Sequence, residues 1–200
     1  MCFHSKQSKS AQELKNRFKA TIENETLYQP GIYNGFQFPK TPVITNKKSD
    51  TIQFFNWGLI PFWAKDDSLR KNTLNARIET IYEKPSFKDA INNRCLVLAD
   101  GFYEWQWLDE KGKQKQKYEL TLPHNELFAF AGLYSEWTNK TTGEIQNTYT
   151  LLTTAANEQM SKIHNTKKRM PILVAADSEL AWLNGQELQM QNHKLIATKS

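Results

Sequence analysis

The sequence predicts an α+β fold, a single domain over residues 1–200 whose curved, mostly antiparallel, barrel-like β core is flanked by a few helices. Three observations carry this. Stretches rich in β-branched and aromatic residues recur at 51–55, 74–78, 95–99, 117–122, 127–134, 148–154 and 172–175, the composition of strands. Helical patterns are few, and strands follow strands through the middle of the chain, which disfavours a doubly wound parallel sheet. A chain of 200 residues with 39% hydrophobic and 12% aromatic content can bury one sizeable core.

Taken in order, Ser10-Ala-Gln-Glu13 has the capping-box form that opens a helix, and Leu14 and Phe18, four apart, give that helix a narrow apolar face ending near Ala20. Residues 28–45, rich in Pro, Gly and aromatics, read as an irregular loop running into a short strand at 42–45. Trp57-Gly-Leu-Ile-Pro-Phe-Trp63 reads as an aromatic loop. Trp57 suits a core. Phe62 and Trp63, between Pro61 and Lys65, suit stacking against nucleic-acid bases, which favours exposed rings with cations nearby. Residues 109–117 alternate charge between two strand patterns and read as a solvated hairpin tip rather than a nucleic-acid patch. Further helices are expected over 156–164 and 178–183.

The formal charge of +5, from 26 Lys and Arg against 21 Asp and Glu, suits a polyanionic partner without requiring one. Cys2 and Cys95 lack any Cys-x-x-Cys spacing, which speaks against a disulfide scaffold or structural zinc. His4, His124 and His193 show no ligand spacing either, so no metal and no cofactor is expected. No signal segment and no membrane-length apolar run is visible, and the expected location is the cytoplasm.

Cys2 is the feature with the most specific chemistry. Methionine removal is permitted before a small residue, and it would leave Cys2 with an α-amine and a thiol on adjacent carbons. Ordinary pKa values of about 7.7–8.0 and about 8.5 leave free amine and some thiolate near neutrality. Such an aminothiol can condense with an aldehyde and close a thiazolidine, or its thiolate can attack a carbonyl as in N-terminal-nucleophile hydrolases. A cysteine in a frayed N-terminus looks the same, so Cys2 alone identifies nothing.

Three other segments place polar residues unusually. In Leu74-Asn-Ala-Arg-Ile-Glu-Thr80, strand alternation puts Asn75, Arg77 and Glu79 on one face. Arg77 can clamp a phosphate and Asn75 can orient an amine or hydroxyl, and a plain solvent-facing strand has the same pattern. Glu104 lies between aromatics in Asp100-Gly-Phe-Tyr-Glu-Trp105, where desolvation would raise its pKa toward a range useful for proton transfer. His164 ends a helical pattern ahead of Lys167, Lys168 and Arg169, where the helix dipole alone also accounts for a histidine.

Together the N-terminal Met-Cys, Trp-Gly-Leu-Ile-Pro-Phe-Trp, Asn-Ala-Arg-Ile-Glu-Thr, Asp-Gly-Phe-Tyr-Glu-Trp and Ile-His with Arg-Met-Pro resemble the SOS response-associated peptidase (SRAP) family of abasic-site processing proteins. The motifs keep the family's order from Cys2 to Pro171. The resemblance implies a basic groove for single-stranded DNA and a covalent thiazolidine link between Cys2 and a ring-opened abasic site, with weak lyase and autoproteolytic activity alongside. It assigns Cys2, Asn75, Glu104 and His164 to catalysis, Arg77 to a phosphate, Phe62 and Trp63 to a base-stacking wedge, and Pro39 to a loop near the DNA. Met-Cys-Gly-Arg is common in the family, whereas Phe3 and His4 stand here. The link from His164 to Arg169 is lengthened by Asn165-Thr-Lys-Lys168. His4, Lys168 and Arg169 are accordingly the expected local DNA contacts. An N-terminal-nucleophile cysteine peptidase or amidohydrolase would use the same residues and stays open.

Overall fold

The computed structural model describes residues 2–188 and 193–200. The strands are β1 (His4–Gln7), β2 (Thr21–Ile22), β3 (Gly31–Asn34), β4 (Lys40–Thr45), β5 (Lys48–Trp57), β6 (Asn75–Arg77), β7 (Arg94–Ala99), β8 (Gly101–Trp107), β9 (Lys115–Thr121), β10 (Phe128–Thr138), β11 (Ile145–Ala155), β12 (Arg169–Pro171), β13 (Leu173–Val174) and β14 (Ile196–Lys199). Four short helices accompany them: α1 (Ala11–Phe18), α2 (Pro85–Lys88), α3 (Glu158–Ile163) and α4 (Glu179–Leu183). None of the described helices is long and apolar enough to cross a membrane.

Five strands close a barrel in the order β11-β10-β7-β4-β5. Its neighbours pair antiparallel except at the seam, where β5 and β11 run parallel with Asn56 beside Thr148 and Trp57 beside Tyr149. β7 is buried on both faces, so it reads as the continuous run Cys95-Leu-Val-Leu-Ala99 rather than as an alternation. Leu96 and Leu98 join Leu14 of α1, Phe87 of α2 and Trp182 of α4 in one apolar cluster. Cys95, Val97 and Ala99 join Trp57, Tyr149, and Met160 and Ile163 of α3 in another. A register shift between Ile44 and Thr45 bends β4 into the barrel. Gly132 on β10 faces the curved wall so closely that a Cβ would lie 2.9 Å from both Cys95 Sγ and Thr150 O.

A second, antiparallel sheet runs β14-β9-β8-β1-β3. Its inner face contributes Phe102 and Leu120 to the cluster that holds Trp57, with the Phe102 ring edge-on to Phe130 of the barrel at 5.7 Å. The expected helix start is present: Ser10 Oγ accepts from Glu13 N and Glu13 Oε2 accepts from Ser10 N at 2.8 Å. The charged tip of residues 108–114 joins β8 to β9, its turn held by Asp109 accepting from Lys111 N at 2.9 Å and Lys113 N at 3.2 Å.

Three expectations need correction. The loop read over 28–45 contains β3, which pairs with β1 across the sequence; neither strand is long enough to show a period by itself. The strand read over 172–175 ends at Val174 and is its own short element, β13, beside β10. The strand read over 74–78 has only three residues, after which Ile78–Thr80 turns as a 3₁₀ helix. Glu79 therefore leaves the face it was expected to share with Asn75 and Arg77.

Candidate functional site

Cys2 enters the core just ahead of β1, which lies between β3 and β8. His4 pairs with Tyr103, so the chain running back to Cys2 passes alongside Glu104. Cys2 is fully buried, and its Sγ lies 3.7 Å from its weak acceptor, His4 O. Burial pushes the thiol pKa up, and the Glu104 carboxylate adds to the effect. With the Cys2 nitrogen in the amide to Met1, burial thus opposes the thiolate that a solvated, processed N-terminus was expected to carry.

Asn75 donates from Nδ2 to Cys2 O at 2.9 Å. It can do so because β6 lies parallel on β11, Asn75 beside Leu151. The preceding Leu74 carbonyl accepts from Trp57 Nε1 at 2.8 Å and Leu151 N at 3.1 Å. Asn75 is buried, and its Oδ1 has no partner among the described residues.

Glu104 points to the inner face of β8, opposite Tyr118, and is 4% exposed. Burial raises its carboxyl pKa. His164 caps the C-terminus of α3, and α3 is tied to β8. Gln106 Nε2 donates to Lys162 O at 3.0 Å, and Trp107 and Asn165 exchange two hydrogen bonds at 3.1 and 2.9 Å. The His164 Nδ1 lies 2.9 Å from Arg169 O and 3.3 Å from Arg169 N. The shorter contact needs a proton on Nδ1, which leaves Nε2 as the basic nitrogen. Burial, with Lys167 nearby, lowers the imidazole pKa, so the ring is neutral at neutral pH. Among the described residues, no group of three or more His, Cys, Asp or Glu side chains is placed to hold a metal ion.

The sequence matches the family described as SOS response associated peptidase (SRAP) over residues 1–200. The chain belongs to this family. It is 43% identical over 143 residues to the abasic site processing protein YoqW of Bacillus subtilis, covering 71% of this chain and 61% of YoqW. To the abasic site processing protein HMCES of Gallus gallus it is 32% identical over 197 residues, covering 82% of this chain and 56% of that protein. The chain thus spans somewhat over half the length of these relatives. A solved structure from Bacteroides thetaiotaomicron superposes with a TM-score of 0.89 at 35% identity, covering 99% of this chain and 91% of that one.

The remaining SRAP-motif residues divide between core and surface. Trp57 is fully buried and stacks on Tyr149 with centroids 6.1 Å apart. Phe62 and Trp63 are 62% and 41% exposed. Gly58, at φ +106°, turns the chain where a Cβ would lie 3.1 Å from Arg70 O. Pro39 is half-buried, with its carbonyl accepting from Trp57 N at 2.9 Å. Arg77 and Lys168 are exposed. Arg169 is buried and donates to both carboxylate oxygens of Glu79, at 3.0 and 2.9 Å. His4 is half-buried, its ring 4.8 Å from Trp105, and burial with Lys117 lowers its pKa.

Sequence reasoning missed two features here. One is the Glu79–Arg169 pair. The other is the packing of the Arg70 guanidinium 4.4 Å over the Phe38 ring beside Pro39, where the sequence showed Arg70 only as a cation following the aromatic loop. No local pattern announces either, because the partners lie far apart along the chain.

The Asn75–Cys2 hydrogen bond gives a first prediction. Asn75→Ala should cost about 1–3 kcal/mol of stability, as a buried acceptor loses its donor, measured by urea unfolding. A variant as stable as the parent would show that this bond does not anchor the segment.

Proposed function

We propose that this SRAP protein captures the ring-opened abasic site of single-stranded DNA as a covalent thiazolidine on Cys2, shielding the lesion. The observation that carries the reading is Cys2 itself, with its carbonyl held by Asn75 and its thiol buried within the field of Glu104. Hydrolytic removal of Met1 is the precondition, because it converts the Cys2 nitrogen from an amide into an amine.

The α-ammonium first gives its proton to Nε2 of neutral His164. As the C1′–O4′ bond breaks, the imidazolium passes that proton to O4′ while the C1′ hydroxyl gives up its own proton to solvent, which frees the aldehyde. The amine adds to C1′. Glu104, whose carboxyl pKa burial raises, gives its proton to the carbinolamine hydroxyl, which leaves as water. The resulting iminium carbon is attacked by sulfur, while the Glu104 carboxylate takes the thiol proton. Aldehyde and aminothiol thus become thiazolidine and one water, and both catalytic groups are restored. An iminium that does not close can drain into β-elimination, giving weak strand cleavage.

Phe62 and Trp63 would stack on bases beside the lesion, with Arg77 and Lys168 on phosphates and Pro39 and His4 lining the path. Phe62→Ala and Trp63→Ala should each weaken binding of single-stranded DNA by about 1–3 kcal/mol and leave the melting temperature unchanged, in fluorescence titrations. Trp57→Ala, by contrast, should cost about 3–5 kcal/mol of stability. Unchanged DNA affinity in both loop variants would remove the wedge from the account.

The test of function is incubation of Met1-processed protein with abasic single-stranded DNA. An adduct that survives denaturing electrophoresis, one per protein, is expected. Repeated release of product from a peptide substrate without an adduct would instead establish the peptidase reading.

A further inference from the structure

We infer that Glu79 is a positioning residue for His164, acting through Arg169. This rests on the role given to His164 above. The backbone from His164 to Arg169 is tied by Lys168 N donating to His164 O, Ala156 N donating to Lys168 O and the pairing of Arg169 with Ala155, although Lys168 sits at φ +48°, in the left-handed region, and β12 is only three residues long. Yet Arg169 must hold its place, because its own carbonyl and amide bracket His164 Nδ1 at 2.9 and 3.3 Å.

The side chain adds a second hold to that of the backbone. The Arg169 guanidinium is 7% exposed as a residue and grips Glu79 through two hydrogen bonds, at 3.0 and 2.9 Å. It also donates to Thr153 O at 2.7 Å and Thr153 Oγ1 at 3.1 Å. Glu79 is itself fixed by Thr154 Oγ1 at 3.1 Å. Planar two-point pairing of this kind sets orientation as well as distance. Although burial pushes the Glu79 carboxyl up, the Arg169 and Thr154 hydrogen bonds outweigh it and bring the pKa down to about 2, so the clamp is ionised at neutral pH.

The same carboxylate has a looser second partner, Arg77, whose Nε lies 3.9 Å from Glu79 Oε2 on the exposed side. Glu79 therefore stands between the surface cation expected to meet phosphate and the buried cation that fixes His164. That placement sets it apart from a plain surface ion pair.

The test compares the parent with Glu79→Ala, Glu79→Gln and the double variant Glu79→Leu/Arg169→Met. The double variant replaces the ion pair with apolar side chains and keeps the segment packed if the single variants unfold. The first readout is the imidazole ¹⁵N spectrum of His164 in free protein. A single Nδ1-protonated tautomer is expected in the parent, a mixed tautomer signal in Glu79→Ala and the double variant, and partial recovery in Glu79→Gln. The second is the crosslinking rate at saturating abasic DNA, expected to fall about 10–100-fold in Glu79→Ala with no loss of affinity for undamaged single-stranded DNA, since the variant removes a negative charge beside Arg77; a slower rate without weaker binding separates orientation from affinity. An unchanged His164 spectrum in a folded Glu79→Ala or double variant overturns the inference. A spectrum that changes with no loss of crosslinking sustains the positioning role and overturns instead the part assigned to His164 in the reaction.

Discussion

Cys2→Ser is expected to bind abasic-site DNA normally and to yield no adduct that survives denaturation. Serine still permits Met1 removal and still presents an α-amine, so the imine forms. Its hydroxyl is a far weaker nucleophile than sulfur, so the ring does not close. Loss of a covalent nucleophile lowers rates on the order of 10⁴-fold or more, and the stable adduct should fall to background. Borohydride added during the reaction should restore a link by reducing the imine to an amine. That pair of results, no adduct without reductant and an adduct with it, assigns separate duties to the nitrogen and the sulfur of Cys2. A stable adduct from Cys2→Ser without reductant would mean that another nucleophile does the work. The His4 carbonyl beside Cys2 Sγ supplies an acceptor for the new hydroxyl, so a folded variant is expected.

Glu104→Gln should be slower and, near neutral pH, more stable relative to the parent than it is in acid. Removing a proton-transfer group lowers the crosslinking rate about 10²–10⁴-fold. The stability effect follows from burial. Because the folded state raises the Glu104 carboxyl pKa, the unfolded chain gives up this proton first as pH rises. Parent stability is therefore lost from the ordinary carboxylate pKa upward through the folded value, and glutamine has no such loss. The melting-temperature difference, variant minus parent, should grow from about pH 4, near the ordinary carboxylate value, toward neutrality. A difference that shrinks over that range would mean that the buried carboxylate stabilises the fold in its charged form. A catalytic group whose removal relieves strain is the expected signature of a site built at some cost to stability.

Much of the fold could be read from local pattern. The capping box at Ser10 and Glu13, the apolar run at β7 and the split between Trp57 inside and Phe62 and Trp63 outside all follow from spacing and neighbours within a few residues. Which strands meet to close the barrel could not be read, because the β5–β11 seam joins Trp57 to Tyr149, and strand periodicity shows a face without showing what covers it. β1 and β3 were hidden for the same reason: four-residue strands whose pairing is their only justification. Glu79 was misplaced because alternation was extended past Arg77, where the chain turns.

The site was legible as residue types and less so as chemistry. Sequence distance gives no hint that Asn75 meets the Cys2 carbonyl, or that Arg169 is held by Glu79 rather than presented to solvent. The largest revision concerns the thiol. Free-solution pKa values describe a solvated N-terminus, whereas Cys2 lies in the core, where burial raises the thiol pKa. In the proposed reaction Glu104 accordingly takes the thiol proton.

The most direct measurement is the intact mass of the product formed with an abasic single-stranded oligonucleotide, followed by peptide mapping. The account predicts one species, the mass of the chain without Met1 plus that of the oligonucleotide minus one water, with the attachment mapped to residue 2. An adduct on a chain that retains Met1, attachment at any other residue, or the absence of an adduct from fully processed protein would contradict it.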